Sequence, residues 1–196
     1  MSREKAREAT RGKLIAAART CFAQHGFAGA SVDVIAETAG YTKGAFYSNF
    51  DSKEAVFFLL LEDHLAQEIA RGRSATAGSS FNEALNRMIR VYDLEGESQD
   101  WCLLAVEFAL HAARSESFAA RYTELCGNNH VQLGRNLTRL ADLAGRPMNK
   151  PAYKASKFLA FRTGLALDRT APAPSLTPGD VRGALGGFLR KVLLRI

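Results

Sequence analysis

The stretch "SVDVIAETAGYTKGAFYSNFDSKEAV", residues 31–56, holds two short helical runs with only "AGYT" between them. Neither run can bury much of a core by itself. Two helices joined through about three residues that include Gly40 have helix-turn-helix spacing. Each can then lend one face to a small shared core, Ile35, Ala39, Phe46 and Phe50, resting on a preceding helix. Packed this way, the second of the two is short yet rigid. It leaves an outer face free, and the major groove of DNA is wide enough to admit it.

The flanking sequence supplies the rest of an all-α chain, because alternating β-branched and polar residues between turns are missing. A first helix is expected from about Thr10 to His25, with Leu14, Ile15, Ala18, Cys21 and Phe22 as its apolar stripe and Gly26 ending it. Ser31 is placed to cap the second helix, whose inward face is Val32, Ile35, Ala36 and Ala39. Thr42 caps a third, Lys43 to Asn49, and Ser52 a fourth that runs to about Ala70. "RGRSATAGSS", residues 71–80, reads as a linker and domain boundary. Beyond it, Ser80 and Glu83 form a capping box, and Asp100 is placed to cap a helix starting at Trp101. A long helical stretch from Phe118 to about Ala144 is weakest at Gly127. Asn149 then caps a helix carrying Pro151 in its first turn, and Thr177 with Pro178 opens the last helix, which extends to about Arg195. The expected architecture is a basic arm and helix-turn-helix domain over residues 1–53, a connecting helix to about residue 70, and a second all-helical domain over residues 71–196.

The outer face of the third helix carries the candidate chemistry. Lys43 and Asn49 can donate to base edges, and Lys43 equally to a phosphate. Tyr47 can donate its hydroxyl to a phosphate, and Ser48 shares that face. Thr42 and Gly44 sit at the N-terminal end, where Gly44 permits close backbone approach. Ser31 and Ser52 begin helices whose free N–H groups can hold phosphates, with Lys53 adding charge there. Arg3, Lys5, Arg7, Arg11 and Lys13 form a basic arm able to track the backbone. Taken singly, Thr42 and Ser52 are equally plain caps, Tyr47 a packing residue and the arm a solvated tail.

At these residues the sequence resembles the TetR family of bacterial transcriptional repressors. Ile35, Ala36, Ala39, Gly40, Gly44, Tyr47, Phe50, Lys53 and Glu54 fall on the family's pattern, over about Thr10 to Ala70. Tyr41, Thr42 and Asn49 replace the usual valine, serine and common histidine, and the last of these bears on which bases are read, not on whether DNA is bound. The resemblance implies a homodimer on a pseudo-palindromic operator in double-stranded DNA. It also implies an all-helical C-terminal half that binds a small effector and dimerises through its last two long helices. Phe158, Leu165, Leu185, Gly187, Phe188 and Val192 are the expected interface, with Gly183 and Gly186 allowing close helix approach. For the effector, taken as largely apolar, Trp101, Phe108 and His111 on one helix, Phe118 and Tyr122 on another, and Phe161 on a third are candidate lining. Glu107 is either a pocket group, a buried ion-pair partner or exposed. A plain aromatic core is the competing account of all seven.

Composition narrows the classes. The 196 residues carry a net charge of +6, which favours polyanion partners. Cys21, Cys102 and Cys126 are scattered, so disulfides and zinc are not expected, and no cofactor or metal is. No nucleophile–base arrangement, phosphate loop or paired carboxylates suggest an enzyme. The charged opening "MSREKAREATRGK" lacks an export signal's apolar core, and "AVFFLLL", residues 55–61, is too short to span a membrane. The expectation is a cytoplasmic, nucleoid-associated repressor released by its effector, with a constitutive or ligand-dependent activating dimer as the alternative.

Overall fold

A computed structural model describes residues 3–78, 80–95, 97–171 and 173–194. Among these the chain forms nine α-helices: α1 (Arg3–Gly29), α2 (Val32–Thr38), α3 (Lys43–Tyr47), α4 (Lys53–Ala75), α5 (Phe81–Val91), α6 (Glu97–Ala112), α7 (Glu116–Leu143), α8 (Pro151–Arg169) and α9 (Pro178–Leu194). The expected end at Arg195 lies outside the described residues. No helix among them is long and apolar enough to cross a membrane. The chain divides into two compact units, Met1–His64 and Leu65–Ile196. The dividing line falls inside α4, which continues to Ala75. Half of the stretch read as a linker is therefore helix.

The first unit is built on α1. Its stripe Leu14, Ala18, Cys21 and Phe22 is buried. The helix breaks at Gly26, whose φ of 67° and ψ of 177° turn Phe27 back inward. Phe22, Phe27 and Phe57 then meet as a ring triad with centroids 5.0–5.8 Å apart, the two Phe57 contacts edge-on. Ile35 from α2 and Phe46 from α3 are fully buried, and Phe50 nearly so. Val32 and Ala39, expected to face inward as well, are only half-buried. Gly40, at a φ of 76°, makes the reversal between α2 and α3 that a side chain would resist.

The second unit packs α5, α7, α8 and α9 around Leu85, Met88, Leu133, Leu137, Leu140, Phe158, Leu185 and Leu189. Helices α7 and α8 approach most closely at Gly134, where a Cβ would lie 2.8 Å from the Pro151 carbonyl carbon and 2.9 Å from the Ala152 nitrogen. Several helix ends differ from expectation. α6 starts at Glu97, so Asp100 lies inside it, and α7 runs unbroken through Gly127. α8 is preceded by Lys150 in left-handed conformation, with Pro151 at its start, and Asn149 is not its cap.

One polar pair is sealed into this unit. Glu68 and Arg162 are only 2% and 4% exposed, with Arg162 Nη2 3.0 Å from Glu68 Oε1. Arg162 Nε also donates to the Tyr92 carbonyl at 3.0 Å, and the guanidinium lies 5.4 Å from the Tyr92 ring centroid. Burial alone would lower the Arg162 pKa, but the Glu68 charge offsets this and holds it above its ordinary value. Arg162 is thus half of an ion pair linking α4 to α8. Breaking such a pair strands a buried charge. Glu68→Gln and Arg162→Met, each alone, are expected to lower the unfolding free energy by about 3–5 kcal/mol. Glu68→Leu combined with Arg162→Met should recover most of that loss, and urea denaturation of the three variants checks both expectations.

Candidate nucleic-acid interface

Helix α3 has five residues and is defined by its caps. Thr42 Oγ1 accepts from the Ala45 N–H at 3.3 Å at the start. At the end, the Ser48 N–H donates to the Gly44 carbonyl at 3.0 Å, and Ser48 Oγ donates to the same carbonyl at 2.8 Å. Phe46 anchors the inward side against Phe50, with ring centroids 5.5 Å apart. What remains outward is Thr42, Lys43, Gly44, Tyr47 and Ser48, all exposed. Tyr47 is 52% exposed, and its ring meets Phe46 edge-on at 5.5 Å, which holds the ring while leaving the hydroxyl outside. Ser31, also exposed, caps α2 by accepting from the Val34 N–H at 3.2 Å.

Three of the cations read as DNA contacts are engaged within the unit. Lys43 Nζ bonds Asp33 Oδ2 at 2.8 Å, and this hydrogen bond raises its pKa. Both partners are exposed, so the pair is weak and can open for a competing anion. Lys53 is half-buried: its Nζ donates to the Phe27 carbonyl at 2.6 Å and sits 4.3 Å from the centroid of that ring. Its partial burial lowers its pKa, with Glu54 opposing. It therefore closes the bent end of α1 rather than projecting outward beside the Ser52 cap. Arg11 Nη1 donates to the Asn49 carbonyl at 2.8 Å, with the guanidinium 4.3 Å from the Phe50 centroid, so it clamps α1 to the end of α3.

Asn49 departs from its expected role. Its Nδ2 donates to the Ala45 carbonyl at 2.8 Å, and its Oδ1 is shielded from solvent. The amide closes the last turn of α3 and does not face a base edge. The basic arm differs too. From Arg3 onward it is the opening of α1, with Arg3, Lys5 and Arg7 exposed along it. Asp33, in the first turn of α2, is not among the residues read from the sequence, since its bond to Lys43 forms across the turn between two helices.

In the second unit the proposed effector residues separate. Phe108, His111, Phe118 and Tyr122 do meet, between α6 and α7. Their ring centroids are 4.6–6.3 Å apart, and Phe108 is fully buried. They pack on one another in that space. Burial raises the Tyr122 pKa, as expected for a ring in such a stack. Trp101 is buried and Glu107 half-buried on the same helix. Phe161 lies instead against Phe188 of α9, stacked at 4.6 Å. An open cleft of about 590 Å³ lies between the last turns of α4 and α5, and none of these seven residues lines it. Among the described residues no three His, Cys, Asp or Glu side chains converge as a metal site.

The expected interface residues also divide. Phe158 and Leu185 are completely enclosed and Leu165 is 8% exposed, so their area belongs to the protomer's own core. Phe188 and Val192 are half-buried, and Gly187 is exposed with open space where a Cβ would stand. Gly186 packs inward, with Ile89 Cδ1 3.0 Å from a Cβ placed there, so it serves α9 against α5.

Residues 14–60 match the profile of the bacterial regulatory proteins, tetR family. The HTH-type transcriptional repressor AcnR of Corynebacterium diphtheriae is 30% identical over 114 residues. That alignment takes in 58% of this chain and spans 56% of the relative's length. The HTH-type transcriptional activator FasR of Mycolicibacterium smegmatis is 29% identical over 96% of this chain and 87% of its own. The crystal structure of a transcriptional regulator from Rhodococcus sp. Rha1 superposes with a TM-score of 0.75 at 25% identity, over 94% of this chain and 96% of that one. The capped five-residue helix lies within the matched segment: over residues 14–60 the chain is similar to the bacterial regulatory proteins of the tetR family, and along most of its length it is similar to transcriptional regulators.

Proposed function

We propose that the protein is a homodimeric DNA-binding repressor whose hold on its operator is weakened by a small molecule bound in the C-terminal unit. The observation that carries this reading is α3. It is braced from inside by Phe46 and presents Thr42, Lys43, Gly44, Tyr47 and Ser48 outward on a helix short enough to enter a major groove. In the proposed mechanism the Tyr47 hydroxyl and the Arg3, Lys5 and Arg7 turns bind phosphates. Lys43 leaves Asp33 for a base or phosphate. Arg11 and Asn49 support α3 from behind, and Lys53 holds the bent end of α1. By linkage, effector and operator weaken each other's binding equally. Activation is the second reading, favoured by the likeness to an activator along nearly the whole chain.

The dimer is proposed to form through the outward faces of α8 and α9. Gly164, Gly183 and Gly187 are exposed, and a Cβ at each would meet nothing within 4 Å. Phe161 and Phe188 lie half-buried beside them, and Leu167 is exposed on the same side of α8. A surface of small residues edged by large apolar ones suits close approach of a second copy.

Asp33→Asn removes a negative charge from the DNA-facing surface and frees Lys43, so it should tighten binding to any duplex several-fold. Lys43→Ala should weaken it and reduce the slope of log affinity against log salt by about 1. Fluorescence anisotropy across a salt series measures both. Equal salt slopes for wild type and Lys43→Ala would remove Lys43 from the phosphate contacts. Gly187→Arg should fold, since the space beyond it is open, but sediment as a monomer and lose operator binding. Analytical ultracentrifugation with a thermal melt checks this, and an unchanged dimer would move the interface elsewhere.

A further inference from the structure

The cleft between the ends of α4 and α5 carries three arginines. Arg71 comes from α4, and Arg87 and Arg90 from α5; all three line it, together with Ser74, Ala75 and Val91. Among the described residues no acidic side chain lines it. The nearest carboxylate on this stretch of α5, Glu83, one turn before Arg87, is held by the Ser80 N–H and hydroxyl at 3.1 and 2.9 Å. Those Ser80 bonds, with a smaller contribution from the Arg87 charge, lower its pKa and hold the carboxylate at the start of the helix.

Arg87 is fixed at the floor. Its Nε donates to the Ala75 carbonyl at 3.0 Å, satisfying a carbonyl at the C-terminal end of α4. Its Nη2 is shielded from solvent and has no hydrogen-bond partner among the described residues. A guanidinium nitrogen shielded from water and without a hydrogen-bond acceptor is costly, and each such group in a folded protein asks for an explanation. Arg71 and Arg90 are exposed and flank it with mobile donor forks. Guanidinium forks match carboxylate and phosphate oxygens two at a time. The cleft is open to solvent, and its volume of about 590 Å³ falls in the range of small-molecule sites.

We propose that this cleft binds a small organic oxyanion, carrying a phosphate or paired carboxylates, between Arg71 and Arg90 over the fixed Arg87, with Ala75 and Val91 against its carbon skeleton. This deepens the effector reading by naming a ligand class, and rests on that reading only for its regulatory consequence. Binding itself is independent of it. The site is distinct from the α6–α7 aromatic cluster and calls for a charged ligand, in contrast to the largely apolar effector expected from sequence.

The test is calorimetric titration of the full chain with pyrophosphate and, separately, with glutarate, which distinguishes phosphate from dicarboxylate sources. Saturable binding of one probe, one per protomer, is expected. Arg71→Gln with Arg90→Gln should weaken it by about tenfold or more, while Arg135→Gln, an exposed arginine outside the cleft, should leave it unchanged. Both cleft substitutions are at exposed positions, and the single Arg90→Gln variant gives an intermediate loss if the site is real. No saturable binding of either probe, or equal binding by wild type and the double variant, overturns the proposal. Operator affinity measured without anion separates the two levels: DNA binding retained without anion binding sinks the cleft alone, and anion binding without DNA binding sinks the regulator reading alone. If the double variant loses DNA affinity but keeps anion binding, the arginines face DNA and the proposal fails.

Discussion

A helix of five residues cannot hold itself together in water, and the first unit is organised around that constraint. α3 exists because Phe46 is buried, Thr42 and Ser48 close its ends, and Asn49 ties its last turn to Ala45. Arg11 then fixes that turn to α1 from a distance of 38 residues along the chain. Each restraint faces inward or along the axis. On the outward side Thr42 and Ser48 also serve as caps, but the Lys43 ammonium and the Tyr47 hydroxyl are not needed to hold the helix and can be chosen for a partner.

The same economy explains why charge was a poor guide to the contact surface. The N-terminal cations invite a reading as a phosphate-tracking set. In the folded unit Arg11 and Lys53 each satisfy a backbone carbonyl and lie over a ring, and these interactions hold the ends of α3 and α1. A cation placed over an aromatic face and bonded to a carbonyl is a packing element with a charge attached. The second unit uses charge similarly. Glu68 and Arg162 bind two helices through a pair that an apolar core tolerates only because both members are present. Among its arginines, the three of the α4–α5 cleft stand out, with no acidic side chain among the described residues lining it.

What could be read from sequence was local. Ser31, Thr42, Ser52, the Ser80–Glu83 box and Thr177 all cap where a hydroxyl precedes a helical run, because the bond reaches only three residues ahead. The buried stripe of α1 and the Gly40 turn follow from periodicity and backbone freedom. What could not be read was long-range. Nothing local told that Asp33 would take Lys43, or that Glu68 would meet Arg162 across the unit. The helix ends at Ala75 and Glu97 were misplaced because small and polar residues there resemble a loop in composition yet have room to continue a helix. Phe158 and Leu185 were assigned to a dimer because their helices were, whereas burial is decided residue by residue around the helix.

The central claim is that two copies of α3, one per protomer, read DNA together. Selection of bound duplexes from a random pool by the wild-type chain tests it most directly. The account predicts an inverted repeat, with half-site centres about one helical turn of DNA apart or a multiple of it, bound by two protomers or more in even number. Enrichment of a single unrepeated motif held by one protomer, or of no motif, would contradict it.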